Sequence, residues 1–76
     1  MRYQRITVNP QQMGGAPCIR GMRMPVVTVL RMIADGMTTV EILANHPELE
    51  VEDIHEAVAF AAEAIDERVL PVVEGL

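Results

Sequence analysis

Arg20 and Arg23 lie three residues apart in segment 17–26, which also contains Gly21 and two prolines. A guanidinium binds phosphate or carboxylate oxygens through a flat pair of N–H donors, so arginines are typical of oxyanion-binding sites. Proline fixes φ and removes a backbone donor, and Gly21 takes a left-handed conformation at no steric cost. This segment is therefore predicted to form a rigid ribbon with one arginine on either side of a tight turn.

The charged residues divide the chain into a basic part and an acidic part. Residues 1–34 contain no acidic residue and five arginines, which are Arg2, Arg5, Arg20, Arg23 and Arg31. Residues 35–76 contain eleven acidic residues and Arg68, a net charge of −10 that brings the whole chain to −5. Such a division indicates an anion-binding end and a second end with another role. It is equally explained by a basic ribbon that lies against the acidic helices of its own chain.

No group of residues in the sequence has the spacing of a catalytic or metal site. The chain has no serine, its one cysteine is Cys18, and its two histidines, His46 and His55, are isolated from each other. A metal site needs clustered ligands, and a nucleophile needs a nearby base. We therefore expect no enzyme activity, no metal and no cofactor, and we expect Cys18 to be a buried structural thiol.

Two short strands and a helix are predicted to position the arginines. Residues 3–8 include Tyr, Ile, Thr and Val, which favour a first strand, and an Asn-Pro dipeptide then starts a turn. Ile19 indicates a second strand. A first helix is predicted to begin after Pro25 and to end at Gly36. Its predicted core stripe consists of Val26, Val29, Leu30 and Ile33.

Two more helices are predicted to follow. Thr38 and Glu41 match a capping box that begins the second helix, and an Asn-His-Pro sequence at 45–47 ends it. Its inward face is predicted to hold Val40, Leu43 and Ala44, with Ile42 beside it. The third helix is predicted over 51–69. Its core stripe is predicted to be Ile54, Val58, Ala61, Ile65 and Val69.

The predicted fold is mainly α, with a short N-terminal β-element followed by a three-helix bundle of helix-turn-helix type. The 76 residues are predicted to form one domain, with a basic β-ribbon over 1–26, three helices over 27–69 and an apolar tail over 70–76. A domain this small with a long apolar helix predicts a homodimer. Because no leader or membrane-spanning stretch is found, we expect a cytoplasmic protein without a membrane role.

Several segments of the chain resemble the DUF433 family (domain of unknown function 433). They are Gly-Ala-Pro-Cys-Ile-Arg-Gly-Met-Arg-Met-Pro-Val at 15–26, His-Pro-Glu-Leu at 46–49, Glu-Asp-Ile at 52–54 and Ala-Val-Ala-Phe-Ala at 57–61. The resemblance implies a β-element followed by three helices in a bacterial or archaeal protein. It also implies an antitoxin-like partner of a PIN-domain ribonuclease toxin, similar to VapB-type antitoxins.

Two positions depart from the pattern of that family. Glu50 and Val51 stand where a threonine usually precedes the Glu-Asp pair, which predicts a weaker N-cap for the third helix. Met22 stands where the family tends to have a small residue, often threonine, so any hydrogen bond made by that residue is absent here.

Together these patterns predict the antitoxin half of a toxin–antitoxin pair. A recognition helix normally has basic or amide side chains in its first turns, whereas segment 52–56 is acidic, so the ribbon is the better candidate for binding operator DNA. The predicted DNA-binding residues are Arg2, Arg5, Arg20 and Arg23. The predicted toxin-binding residues are Ile65, Val69, Leu70, Val72 and Val73. The alternative is a dimeric protein–protein adaptor without nucleic-acid binding, whose arginines pair with carboxylates.

Overall fold

A computed structural model of the protein describes residues 3–67, and for Glu67 the backbone alone. The elements, in chain order, are β1 (Ile6–Val8), a 3₁₀ turn (Met13–Gly15), β2 (Pro17–Ile19), α1 (Val26–Ala34), α2 (Thr39–Asn45) and α3 (Val51–Glu67). The predicted β-element followed by three helices is thus confirmed. The predicted last residues of the third helix and the tail over 70–76 lie outside the described residues. No described helix is long and apolar enough to span a bilayer.

The two strands form an antiparallel hairpin. Ile6 pairs with Ile19 and Val8 with Pro17. The predicted Asn-Pro turn is confirmed, because the Asn9 side chain accepts a hydrogen bond from the backbone N–H of Gln11. After β2 the chain reverses and returns antiparallel at Pro25, which forms a bridge with Cys18. Cys18 is buried, as predicted.

Gly36 ends the first helix as predicted. Its φ of 88° lies in the left-handed region, and the N–H groups of Gly36 and Met37 donate to the carbonyls of Ile33 and Met32 in a Schellman motif. This turn brings Met37 back toward Met32, and both pack partly against the core. Ile33, in contrast, has an exposed side chain, so the prediction that it belongs to the core was wrong.

The second helix begins with the predicted capping box. The Thr38 hydroxyl accepts from the Glu41 N–H, and the Glu41 carboxylate accepts from the Thr38 N–H. Its inward face was predicted only in part: Leu43 packs against the core as predicted, but Ile42 is fully buried whereas Val40 is 76% exposed. Two turns of helix contain too few residues for periodicity to distinguish two apolar faces.

The third helix faces the core with a side that agrees with the predicted stripe at Ile54 and departs from it at Val58 and Ile65. Ile54 and Ala57 are buried, but so is the charged Asp53, whereas Val58 and Ile65 are 46% and 60% exposed. The apolar stripe of the sequence is therefore rotated relative to the buried face. The buried core consists of Ile6, Ile19, Met24, Val26, Val29, Ile42, Leu49, Ile54 and Ala57.

Candidate functional site

Asp53, in the first turn of α3, is the centre of the main polar cluster in the described part of the chain. Its side chain is completely buried, and it accepts hydrogen bonds at both oxygens. Arg20 donates from Nε to Oδ1 at 3.0 Å and from Nη2 to Oδ2 at 2.9 Å, which is a bidentate contact. Arg5 donates from Nη1 to Oδ1 at 3.0 Å. These two arginines join the hairpin to the start of α3.

The turn after β2 directs Arg20 toward Asp53. Both Arg20 and Gly21 have left-handed φ values, 45° and 71°, and the Met22 N–H donates to the Ile19 carbonyl at 2.8 Å. This is the pattern of a type I′ turn, which suits a twisted hairpin. The left-handed conformation predicted for Gly21 is confirmed, whereas that of Arg20 is not apparent from the sequence. Its guanidinium also donates to the Glu48 carbonyl at 2.7 Å.

Arg5, on the strand side of the cluster, contacts α3 through both its side chain and its backbone. Its Nη1 donates to Glu50 Oε1 at 2.6 Å, in addition to Asp53. Its backbone N–H donates to Glu56 Oε1 at 3.0 Å. Its carbonyl accepts from the Arg20 N–H at 2.8 Å, which connects the two arginines through the hairpin itself.

The ionisation of the cluster follows from these contacts. Burial by itself would raise the pKa of Asp53, but hydrogen bonds from Arg20, the Glu50 N–H and Arg5 outweigh it, so the pKa lies below the usual range. The carboxylates in turn raise the pKa values of Arg5 and Arg20. With Glu50, the cluster contains two carboxylates and two guanidinium groups. Its charges therefore cancel, and it has no surplus positive charge to attract a phosphate.

Asp53 also caps its own helix. Its Oδ2 accepts the backbone N–H of Glu50 at 2.8 Å, which is the contact that an acidic residue makes in the third position of a capping box. The Glu50 side chain contacts Arg5 instead of the helix start. At the start of α3, where the sequence predicted a weaker N-cap, one of the two hydrogen bonds of a capping box is therefore present.

The four arginines predicted to bind DNA differ in their surroundings. For Arg5 and Arg20 the intramolecular alternative is confirmed, since both pair with Asp53. Arg23 is exposed and makes no hydrogen bond or ion pair within residues 3–67. Arg2 lies outside the described residues. The structure therefore does not bring the three described arginines, Arg5, Arg20 and Arg23, together into one exposed basic surface.

A line of large apolar side chains runs along the outer, exposed face of α3. Val51, Val58 and Ile65 are exposed by 40%, 46% and 60%, and they follow one another at intervals of seven residues. That interval is close to two helical turns, so the three side chains lie along one line of the helix. Ile65 is the one predicted toxin-binding residue within the described part, since Val69, Leu70, Val72 and Val73 follow it.

An apolar groove lies between α1 and α3. Its lining contains no charged side chain and consists of Ala16, Pro17, Val26, Val27, Leu30, Phe60 and Ala61. Ala61 lies three residues after Val58 and four before Ile65, so the groove adjoins the outer face of α3 on the helix surface.

Asp53 is the important residue that the sequence analysis missed. In the sequence it stands out only as part of the acidic segment 52–56. The available signal was its position as the third residue of the helix, directly before Ile54, in a chain whose residues 1–34 contain five arginines and no acidic residue. No group of His, Cys, Asp or Glu in residues 3–67 is arranged to hold a metal ion.

Comparison with known proteins identifies the family. The model of the family described as "Protein of unknown function (DUF433)" matches residues 6–61. The crystal structure of a DUF433 member protein from Anabaena variabilis ATCC 29413 matches with a TM-score of 0.76 and 32% identity, covering 83% of this chain and 62% of that one.

A curated relative, the uncharacterized protein y4eO of Sinorhizobium fredii (strain NBRC 101917 / NGR234), is 36% identical over 56 residues. The match covers 74% of this chain but 25% of y4eO, so the chain spans about a quarter of that relative's length. It likewise spans less than two thirds of the solved DUF433 chain. Since the family match covers most of the sequence and the fold agrees, the chain belongs to the DUF433 family.

Proposed function

We propose that the protein is a protein-binding module, the antitoxin half of a toxin–antitoxin pair, and that α3 binds a PIN-type ribonuclease through its outer face. The observation that supports this proposal is the exposure of Val58 and Ile65 on one line of the helix. Large apolar side chains that stay exposed in a row mark protein interaction surfaces more often than isolated ones do.

The charge of the helix suits such a partner. Glu52, near the start of α3, and Asp66, near its described end, are both exposed acidic residues. Residues 35–76 have a net charge of −10. A ribonuclease binds RNA through basic surfaces, so an acidic helix with an apolar line complements it in both charge and hydrophobicity. A toxin covered in this way would be excluded from its RNA.

Binding of operator DNA is the second part of the proposal, and Arg23 is the described residue that supports it. Its guanidinium is exposed and has no partner within residues 3–67. Arg5 and Arg20 already form ion pairs with Asp53, which supports the other possibility, an adaptor without nucleic-acid binding. DNA binding through phosphates weakens steeply with salt. Measuring the affinity for the promoter duplex at several salt concentrations therefore distinguishes a DNA-binding protein from an adaptor that does not bind nucleic acid.

The experiment that tests the toxin partner is a quantitative pull-down from native cells with three baits. Ile65→Glu places a charge on the outer face, and Val40→Glu places one on another exposed apolar residue, on α2. We expect the wild type and Val40→Glu to recover a PIN-type nuclease and Ile65→Glu to lose it, and the purified nuclease to be inhibited by the wild type. Recovery of no such nuclease, or equal loss with both variants, would contradict the proposal.

A further inference from the structure

We propose that the outer face of α3 binds an α-helix of its partner, and that this helix has basic side chains along one flank. This contact rests on the function proposed above, because it specifies which part of the toxin α3 would bind. The residues that support it form an exposed stripe along α3, made by Val51, His55, Val58, Ala62 and Ile65. Four of the five are aliphatic, none is acidic, and His55 is the polar member.

The spacing of the exposed stripe is that of a helix pair. Its members are separated in turn by intervals of four, three, four and three residues, and all five are exposed. Such alternating intervals keep side chains on one side of a helix, where they can interdigitate with those of a second helix. From Val51 to Ile65 the stripe extends over about 21 Å, which is the length of about four helical turns. A partner helix can therefore contact all of it.

The two flanks of the exposed stripe differ in charge. On one flank lie Glu52, Ala59 and Asp66, which are all exposed, and each directly follows a member of the stripe. On the other flank lie Ile54, which is buried, and Ala61, which lines the apolar groove. Within residues 51–66, carboxylates therefore border the stripe on one side, at two positions about 21 Å apart.

The acidic flank argues against a second copy of the chain and for a basic partner helix. Pairing two copies of α3 antiparallel would bring their acidic flanks together, and the like charges would repel. Pairing them parallel would place each acidic flank against the apolar flank of the other copy, where the carboxylates lose water without gaining a cation. A helix with arginine or lysine facing Glu52 and Asp66 instead complements the flank in charge while its aliphatic residues cover the stripe.

The test is isothermal titration calorimetry of the full chain with two synthetic helical peptides. Both have leucine at positions a and d of successive heptads, and they differ at positions e and g, where one has arginine and the other glutamate. We expect the arginine peptide to bind one to one, and the glutamate peptide to bind at least about tenfold more weakly. Ile65→Ser, in the stripe, should weaken binding of the arginine peptide, whereas Val40→Ser, an exposed position on α2, should not.

A charge swap separates the acidic flank from the net charge of the protein. Glu52→Arg combined with Asp66→Arg reverses the flank, so we expect the glutamate peptide to become the tighter ligand. Asp35→Arg combined with Glu48→Arg makes the same change in net charge at exposed acidic residues outside α3. This second pair should leave the preference for the arginine peptide intact. Equal effects of the two double variants would overturn the proposal, because net charge alone would then explain the binding.

Other results would also overturn the proposal. Failure of both peptides to bind, or equal binding of both, would mean that the exposed stripe does not select a basic helix. A dimer of the free chain in sedimentation that Ile65→Ser dissociates would assign the stripe to a second copy. The pull-down described above tests the toxin separately. Binding of the arginine peptide without recovery of a PIN-type nuclease would contradict the toxin alone, and recovery of the nuclease without peptide binding would contradict the basic helix alone.

Discussion

On its inner side, α3 holds a buried carboxylate against two arginines, and on its outer side it exposes two large aliphatic side chains. A surface helix of a globular protein ordinarily has these residue types the other way round. Asp53 can be buried because both of its oxygens accept hydrogen bonds and its charge is balanced. Val58 and Ile65 have no equivalent compensation within residues 3–67, which is the reason why we propose that they bind a partner.

The difference shows that residue polarity alone does not assign a helix face. The inner side requires its charged residue for the fold, because Asp53 connects the hairpin to α3 and caps that helix. The outer side has no such structural requirement. Changes on the inner side should therefore alter stability, and changes on the outer side should alter binding.

The largest effect on stability is expected from Asp53→Ala. It leaves Arg5, Arg20 and the Glu50 N–H without their acceptor, and we expect a loss of about 3 kcal/mol in unfolding free energy, toward the lower end for broken buried pairs because the arginines are partly solvated. Urea denaturation measures it. Glu52→Ala, one residue earlier and exposed, should change stability by less than about 0.5 kcal/mol. Similar losses in the two variants would mean that burial of Asp53 does not matter.

A pair of arginine substitutions tests whether the ribbon's charges serve the fold. Arg20→Ala removes the bidentate contact with Asp53, whereas Arg23→Ala removes an exposed charge that has no partner within residues 3–67. The urea midpoint should fall clearly for Arg20→Ala and remain close to that of the wild type for Arg23→Ala. A larger fall for Arg23→Ala would show that the exposed arginine has the structural role.

The pH dependence of stability should reflect Asp53. Its pKa is lowered in the folded protein, so its contribution is complete above the ordinary aspartate pKa of about 3.9 and is lost as the pH falls through the lower, folded value. Unfolding followed at a series of acidic pH values should therefore show a steeper loss in the wild type than in Asp53→Asn, which cannot ionise. Parallel curves for the two proteins would contradict the lowered pKa.

The smallest effect on stability is expected from the outer face. Val58→Ser and Ile65→Ser replace exposed side chains and should change the unfolding free energy by less than about 0.5 kcal/mol. Thermal unfolding, with Ile54→Ala as the buried comparison on the same helix, measures this. A loss as large as that of Ile54→Ala would mean that the outer face is covered in the free protein.

Features determined by near neighbours in the chain were predictable from sequence. The Thr38–Glu41 capping box and the left-handed Gly36 depend on residues within one or two turns, and both are found as predicted. The second strand near Ile19 also followed from the local residue types. The family resemblance was equally local, because its motifs are contiguous.

Features that depend on distant contacts were not predictable from the pattern. Asp53 contacts residues 33 and 48 positions earlier in the chain, and nothing in its own helix indicates them. The left-handed φ of Arg20 belongs to the turn that directs its side chain toward Asp53. Ile42 was passed over for Val40 because a helix of two turns is too short for its period to distinguish two apolar faces. For the candidate site, the arginines could be named from the sequence, but the ion pairs of Arg5 and Arg20 with Asp53 could not.

The most direct test of the claim that Arg20 and Asp53 act as one structural unit is a double-mutant cycle between them. Urea denaturation of the wild type, Arg20→Ala, Asp53→Ala and the double variant gives the coupling free energy. We predict that the double variant loses much less stability than the sum of the two single losses, because either substitution alone already breaks the contact. Additive losses would contradict the claim and would leave Arg20 available as a DNA-binding residue.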